Sequence, residues 1–158
     1  MHHTFFFKFV FFLFISFAFF SSNVSAEFLS VKAKSLTLFE GPSSSTKKKF
    51  IVTEGYPLKV IVSLKDWKKV EDHLGKISWA QVKYLDRERT VITLKSQAII
   101  YNKPSKREAK LAYIDELVVL TLVSPIVTDG WIKVKSISVG VQGFIKAEEV
   151  WGIELENM

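Results

Sequence analysis

The sequence has 158 residues, a formal net charge of +6 and no cysteine. Without cysteine the chain has no disulfide framework, no thiol nucleophile and no thiolate ligand for a metal. Its length suits one ordinary domain or two very small ones.

The first 26 residues have the pattern of a secretory signal peptide. Lys8 precedes an apolar run from Phe9 to Phe20, and small side chains follow up to Ala26. As a helix that run would be about 18 Å long, which is short of the roughly 30 Å hydrocarbon core of a membrane. We therefore predict cleavage between Ala26 and Glu27, and an exported protein, periplasmic or secreted, that meets the membrane only transiently. The leader also holds ten of the 14 phenylalanines, so it accounts for most of the positive mean hydropathy.

Beyond the leader, short segments rich in β-branched, aliphatic and aromatic residues follow one another. Residues 58–64, 90–94 and 117–122 are examples, and groups containing glycine, proline, asparagine or aspartate separate them. Few windows repeat apolar residues at helical spacing. This pattern predicts an all-β fold of the barrel or sandwich type.

An internal repeat divides the rest of the chain. Pro42 recurs as Pro104 after 62 residues, Trp67–Val70 (WKKV) as Trp131–Val134 (WIKV) after 64, and Ser78–Ala80 as Gly143–Ile145 after 65. Three landmarks in the same order indicate two copies of one small unit. The predicted organisation is a signal peptide at 1–26, a first unit at 27–86 and a second at 87–158. The charged residues 86–89 are expected to form a short solvated connector.

These landmarks resemble the bacterial SH3-like domain family, in particular the tandem form found in exported proteins of Gram-negative bacteria. That family opens each unit with a strand of the type Leu-Asn-Val-Arg-x-Gly-Pro-Ser, continues with Trp-x-x-Val, and closes with Gly-x-x-Gly-Trp-Val. The first unit has LTLFEGPS, WKKV and GKISWA, and the second has AIIYNKPS, WIKV and GVQGFI. Departures are Phe39 and Tyr101 in place of the opening arginine, Ser78 for the second closing glycine and Phe144 for the closing tryptophan. The resemblance implies two tandem small SH3-like β-barrels.

Binding candidates come from aromatic and basic residues that recur in both units. In SH3-like barrels a groove beside the long first loop often holds an extended peptide against aromatic rings. Basic residues on the same loop of both units would attract carboxylate or phosphate groups. The alternative is that the rings cover the barrel ends and the lysines only solubilise the surface. The predicted ligand-binding residues are Phe39, Lys47, Lys48, Lys49, Trp67, Lys68, Tyr101, Lys106, Arg107 and Trp131.

Catalytic groups are scarce in the sequence. After the leader His73 is the single histidine, and neither a phosphate-binding glycine loop nor a nucleophile elbow is present. We expect no metal and no cofactor, and an exported protein is not expected to bind nucleic acid. The resulting hypothesis is a non-catalytic binding protein of the bacterial cell envelope that recognises peptidoglycan or another anionic wall ligand. Two alternatives are an interaction adaptor that binds a peptide or an acidic protein surface, and a small hydrolase that uses His73.

Overall fold

The computed structural model describes residues 26–154, and these residues form an all-β protein, as the sequence predicts. Two antiparallel sheets follow one another along the chain. The first sheet contains β1 (Phe28–Val31), β2 (Ser35–Phe39), β3 (Lys48–Thr53), β4 (Pro57–Ser63), β5 (Trp67–Glu71), β6 (Ile77–Gln81) and β7 (Leu85–Asp86). The second contains β8 (Thr90–Thr93), β9 (Ala98–Tyr101), β10 (Lys110–Ile114), β11 (Val119–Thr128), β12 (Trp131–Ser136), β13 (Val141–Lys146) and β14 (Val150–Trp151). A single 3₁₀ turn precedes the last strand of each sheet, at Val82–Tyr84 and Ala147–Glu149.

Both sheets have the same strand order. The first runs β3-β2-β6-β5-β4-β1-β7 and the second β10-β9-β13-β12-β11-β8-β14, so each strand has a counterpart seven places later. The register repeats as well, because Phe39 pairs with Trp79 in the first sheet and Tyr101 pairs with Phe144 in the second. The repeat found in the sequence is therefore also a repeat of topology.

Each sheet has a hydrophobic core of its own, and both cores are aliphatic. Leu38, Leu58 and Val70 are completely buried in the first, and Ile100 and Val134 are completely buried in the second. Complete burial of a large aliphatic side chain contributes roughly 1.5–3 kcal/mol to the free energy of folding. The repeated aromatic residues lie at the margins of these cores, where they can shape a surface.

The connector between the sheets is solvated at residues 86–88, as its charges predict, but Arg89 is half-buried. Arg89 lies 5.3 Å from the Phe28 ring centroid and donates a 2.9 Å hydrogen bond from Nη2 to the Gly152 carbonyl oxygen. Phe28 in turn meets Trp151 edge to face at 5.4 Å. Partial burial, opposed by the charge of Glu154, lowers the pKa of Arg89. The Arg89 guanidinium therefore contacts both sheets, through Phe28 of the first and Gly152 at the end of the second. The aromatic face and the carbonyl oxygen replace part of the water that would otherwise hydrate its charge.

One other sequence expectation differs from the structure, and another falls outside the described residues. The sequence predicts one strand over residues 117–122, but Leu117 has φ of 62° and lies in the turn before β11. The predicted signal peptide lies almost entirely outside the described residues, which begin at Ala26. Nowhere in residues 26–154 is there a helix with the length and hydrophobicity needed to cross a bilayer.

Candidate binding site

The long loops that carry the predicted basic residues have the same hydrogen bonds in both sheets. Glu40 N donates to Lys47 O at 2.9 Å, and Asn102 N donates to Ala109 O at 3.0 Å, 62 residues later. Within the loops, Thr46 N bonds Ser43 O and Glu108 N bonds Ser105 O, each at 3.2 Å. These bonds replace ladder pairing where the chain turns, so the loops are built structures with repeated geometry.

The predicted basic residues lie at the surface but differ in their contacts. Lys47, Lys48, Lys106 and Arg107 are exposed, and Lys48 and Lys49 belong to β3 instead of the loop. Lys49 Nζ donates to the Ile77 carbonyl oxygen at 2.7 Å. Lys68 is half-buried, bonding Ser63 Oγ at 2.7 Å and lying 3.4 Å from a Glu27 carboxylate oxygen. Lys49 and Lys68 are thus held by contacts with neighbouring residues.

The four predicted aromatic residues form two equivalent pairs. Phe39 meets Trp67 edge to face at 5.6 Å with an interplanar angle of 86°, and Tyr101 meets Trp131 at 5.4 Å and 88°. Phe39 and Tyr101 are each 7% exposed and Trp131 is 6% exposed, whereas Trp67 is only half-buried. Of the four rings, Trp67 is therefore the one with substantial surface to offer a ligand.

A cleft of about 410 Å³ opens beside the Trp67 indole. The turn before β5 supplies Lys65 and Asp66, and the corner between β6 and the 3₁₀ turn supplies Gln81, Val82 and Lys83. A hydrogen bond of 3.0 Å from Val82 N to Asp66 O holds the two segments together. The cleft thus combines one large aromatic surface with charges of both signs, and an aromatic surface with a few polar groups is common in small-ligand sites.

Sequence reasoning found Trp67 but missed most of its neighbours. Asp66, Gln81 and Lys83 are ordinary polar residues in the sequence, and only the pairing of Trp67 with Gln81 in the β5–β6 register brings the two segments together. The sequence held one signal for these neighbours, which is the internal repeat. A residue-by-residue alignment of the two units places Gln81 at the same position as Lys146.

A second cleft, of about 230 Å³, contains the histidine that the hydrolase alternative would use. Its lining includes Tyr56 and His73 from the first sheet and Leu117 and Val119 from the second. His73 Nδ1 is hydrogen-bonded to the Tyr56 hydroxyl. The neighbouring Asp72 carboxylate accepts the backbone N–H groups of Leu74 at 2.9 Å and Lys76 at 2.8 Å. Both polar groups therefore take part in fixing a hairpin and its contact with Tyr56.

The Tyr56 phenol has a titration that can be measured. Burial, reinforced by the Asp72 charge and opposed by a hydrogen bond with the His73 backbone, raises the pKa of Tyr56 to about 12 from an ordinary value of 10.0. Because folding favours the neutral phenol, its contribution to stability is complete below pH 10 and is lost as the pH rises through about 12. In an ultraviolet titration of phenolate, we expect Tyr56→Phe to remove the last component to ionise. The matched variant Tyr113→Phe, at a tyrosine that is 61% exposed, should leave that late component in place.

Comparisons with known proteins place the chain near no established family. No family profile and no curated protein matches it. Among solved structures, NlpC2 from Trichomonas vaginalis aligns at 14% identity with a TM-score of 0.37, over 82% of this chain and 49% of its own. NlpC1 from the same organism aligns at 12% identity with a TM-score of 0.39, over 87% of this chain and 50% of its own. The chain therefore spans about half the length of these two proteins, and similarity at this level assigns it no activity.

Proposed function

We propose that this chain is an exported, non-catalytic binding protein of the bacterial cell envelope, and that it recognises peptidoglycan or a related wall ligand through the cleft beside Trp67. Export is supported by the leader pattern of residues 1–26. An organisation as two tandem SH3-like barrels is supported by the motif resemblance and by two sheets of identical order. Each sheet has a separate core, and a lone sheet buries such a core by curling on itself.

The observation that carries the proposal is the half-buried indole of Trp67 in a cleft with a cationic rim. Lys65 and Lys83 are exposed and lie on opposite segments of that rim. The Trp67 ring offers a ligand a large contact area. Because the ring is rigid, binding does not cost the entropy that ordering a flexible side chain would. Lysines on the rim attract the carboxylates that wall polymers and their peptides carry. The cleft is thus suited to a polar, partly anionic ligand.

The non-catalytic part of the proposal rests on the state of the few reactive groups. His73 is engaged by Tyr56, and Asp72 accepts two backbone N–H groups of its own hairpin. The Tyr56 hydroxyl takes Nδ1 of His73, and within residues 26–154 no serine or threonine hydroxyl is hydrogen-bonded to the other ring nitrogen, where a nucleophile would have to lie. Within residues 26–154 no group of three or more histidine and acidic side chains is placed to hold a metal ion.

Co-sedimentation with purified peptidoglycan sacculi tests this function. We expect the protein to sediment with sacculi more strongly than an unrelated protein of the same net charge. The double variant Lys65→Glu/Lys83→Glu should lower the bound fraction about tenfold, because it reverses the rim of the cleft. The control Lys34→Glu/Lys135→Glu makes the same change in net charge at exposed positions that are neither in the cleft nor among the predicted ligand-binding residues.

Two outcomes would contradict the proposal. If sacculi retain this protein no better than the unrelated protein, peptidoglycan is ruled out as its ligand. Equal losses for the two double variants would show that net charge, and not the cleft, causes retention.

A protein partner is the second candidate, favoured by apolar side chains on the outer strands. Ile51 of β3 is 67% exposed and Tyr113 of β10 is 61% exposed. Outer strands with exposed backbone groups can pair with an extended peptide. Cross-linking in cells followed by mass spectrometry should then yield one dominant protein partner and no glycan association.

A further inference from the structure

The corner that carries Trp67 has a close counterpart in the second sheet. In the first sheet Leu64 N bonds Trp67 O at 2.9 Å, and in the second Thr128 pairs with Trp131 across a turn of equal length. Val82 N donates to Asp66 O at 3.0 Å, and Ala147 N donates to Gly130 O at 2.9 Å. The indoles also meet their aromatic partners at nearly the same distance and angle. Residues at matching positions of the two corners can therefore be compared directly.

The two corners differ in what covers the indole. Lys146 pairs with Trp131 in the β12–β13 register, and its Nζ lies 4.4 Å from the Trp131 ring centroid. At the matching position Gln81 pairs with Trp67. Within residues 26–154 the cation–ring contacts are to Tyr84, Phe28, Tyr113, Phe144 and Trp131, and none is to Trp67. A lysine ammonium at this distance from an indole face is attracted by the ring quadrupole. The second corner thus contains its own ammonium ligand, and the first does not.

The flanking charges are reversed in the same comparison. Lys65 and Lys83 in the first corner correspond to Asp129 and Glu148 in the second. In the second corner, two acidic residues accompany a resident cation. In the first, Lys65 and Lys83 flank an indole that has no resident cation, and Asp66 stands where the second corner has Gly130. Lys83 Nζ lies 4.8 Å from the exposed Tyr84 ring centroid, a surface contact that a ligand carboxylate would compete with.

From this we propose that the Trp67 cleft binds a zwitterionic amino-acid group. Its ammonium lies over the Trp67 ring, in the place that Lys146 Nζ takes over Trp131, and its carboxylate lies toward Lys65 and Lys83. Asp66 would repel a plain anion and the two lysines would repel a plain cation, whereas a zwitterion meets both signs. The second corner binds no such group, because Lys146 already covers its indole. This assignment rests on the proposed binding role of the cleft and names the chemistry that the cleft recognises.

Nuclear magnetic resonance titration of the ¹⁵N-labelled protein with simple probes tests the assignment. The zwitterionic probes are glycine, γ-aminobutyrate and ε-aminocaproate, and the singly charged controls are butylamine and butyrate. We expect at least one zwitterion to shift the Trp67 indole N–H and the Asp66 and Val82 amides saturably, with dissociation constants of about 1–10 mM. Each singly charged probe should bind about tenfold more weakly, and the Trp131 indole N–H should not move with any zwitterion.

Exchanging the two matching residues gives a reciprocal test. Gln81→Lys should place an ammonium over Trp67 and weaken zwitterion binding at least tenfold, while the rest of the spectrum stays that of the folded protein. Lys146→Gln should uncover Trp131 between two acidic residues, so that this indole N–H now shifts with butylamine but not with butyrate. If the Gln81→Lys variant does not fold, the Lys146→Gln variant alone provides the reciprocal test. A Trp131 indole N–H that then fails to shift with butylamine would contradict the assignment.

Several results would overturn the assignment. These are no saturable shift at about 0.1 M of any zwitterion, unchanged affinity in a folded Gln81→Lys variant, or tighter binding of butyrate than of every zwitterion. If sacculi are still retained through Lys65 and Lys83 while the zwitterions fail, only this inference is lost. If both the sacculi and the probes fail, the proposed function is lost with it.

Discussion

Substituting Gly143 by alanine is expected to destabilise the second sheet by about 3 kcal/mol or more. An added Cβ would collide with the Tyr101 carbonyl oxygen and lie 2.7 Å from Ile100 Cγ2. Ile100 is completely buried, and Tyr101 pairs with Phe144 in the adjoining strand, so neither neighbour can move without breaking the sheet or its core. Urea unfolding followed by tryptophan fluorescence should show a lower midpoint.

A matched substitution separates this collision from the general effect of removing a glycine. Gly140 has φ of 69° and open space where a Cβ would lie, so Gly140→Ala should cost only about 1 kcal/mol of backbone strain. A Gly143→Ala protein as stable as Gly140→Ala would show that β9 and β13 separate easily. The first sheet carries Ser78 at the position of Gly143, so the close approach is a property of the second sheet alone.

Substituting Phe28 by alanine is expected to cost about 3 kcal/mol and to uncouple the two sheets. Phe28 is 5% exposed, meets Trp151 edge to face and lies beneath the Arg89 guanidinium. Its removal therefore affects the contact between the sheets as well as the packing of β1. Wild-type protein should unfold in one transition, whereas Phe28→Ala should show two, or one that is clearly broader.

Phe50→Ala is the control for Phe28→Ala. Phe50 packs partly buried against the core of the first sheet, so its loss should lower stability without separating the transitions. A double-mutant cycle of Phe28→Ala with Trp151→Ala should give a coupling of about 1 kcal/mol. Additive effects, together with a single sharp transition in Phe28→Ala, would mean that the sheets are held together elsewhere.

Part of the site could be predicted because the repeat marks equivalent positions. The WKKV and WIKV segments identify Trp67 and Trp131 as equivalent positions of the repeat. In the structure these two indoles also have equivalent aromatic partners, Phe39 and Tyr101. In the sequence all four rings are equal candidates. Burial distinguishes them, since Trp131 is 6% exposed beneath Lys146 and Trp67 is only half-buried.

The sequence by itself determined the β character of the chain and the existence of two similar units. Both follow from local signals, namely short apolar segments, turn residues and motifs that recur at nearly constant spacing. Only the tertiary structure decided that Arg89 packs on Phe28, that Gly143 has no room for a side chain, and that Lys146 but not Gln81 brings a cation to its indole. Each of these depends on strand register and on contacts between residues far apart in the chain. Alternation along one strand indicates which face a side chain occupies, but it does not indicate which residue of the neighbouring strand lies beside it.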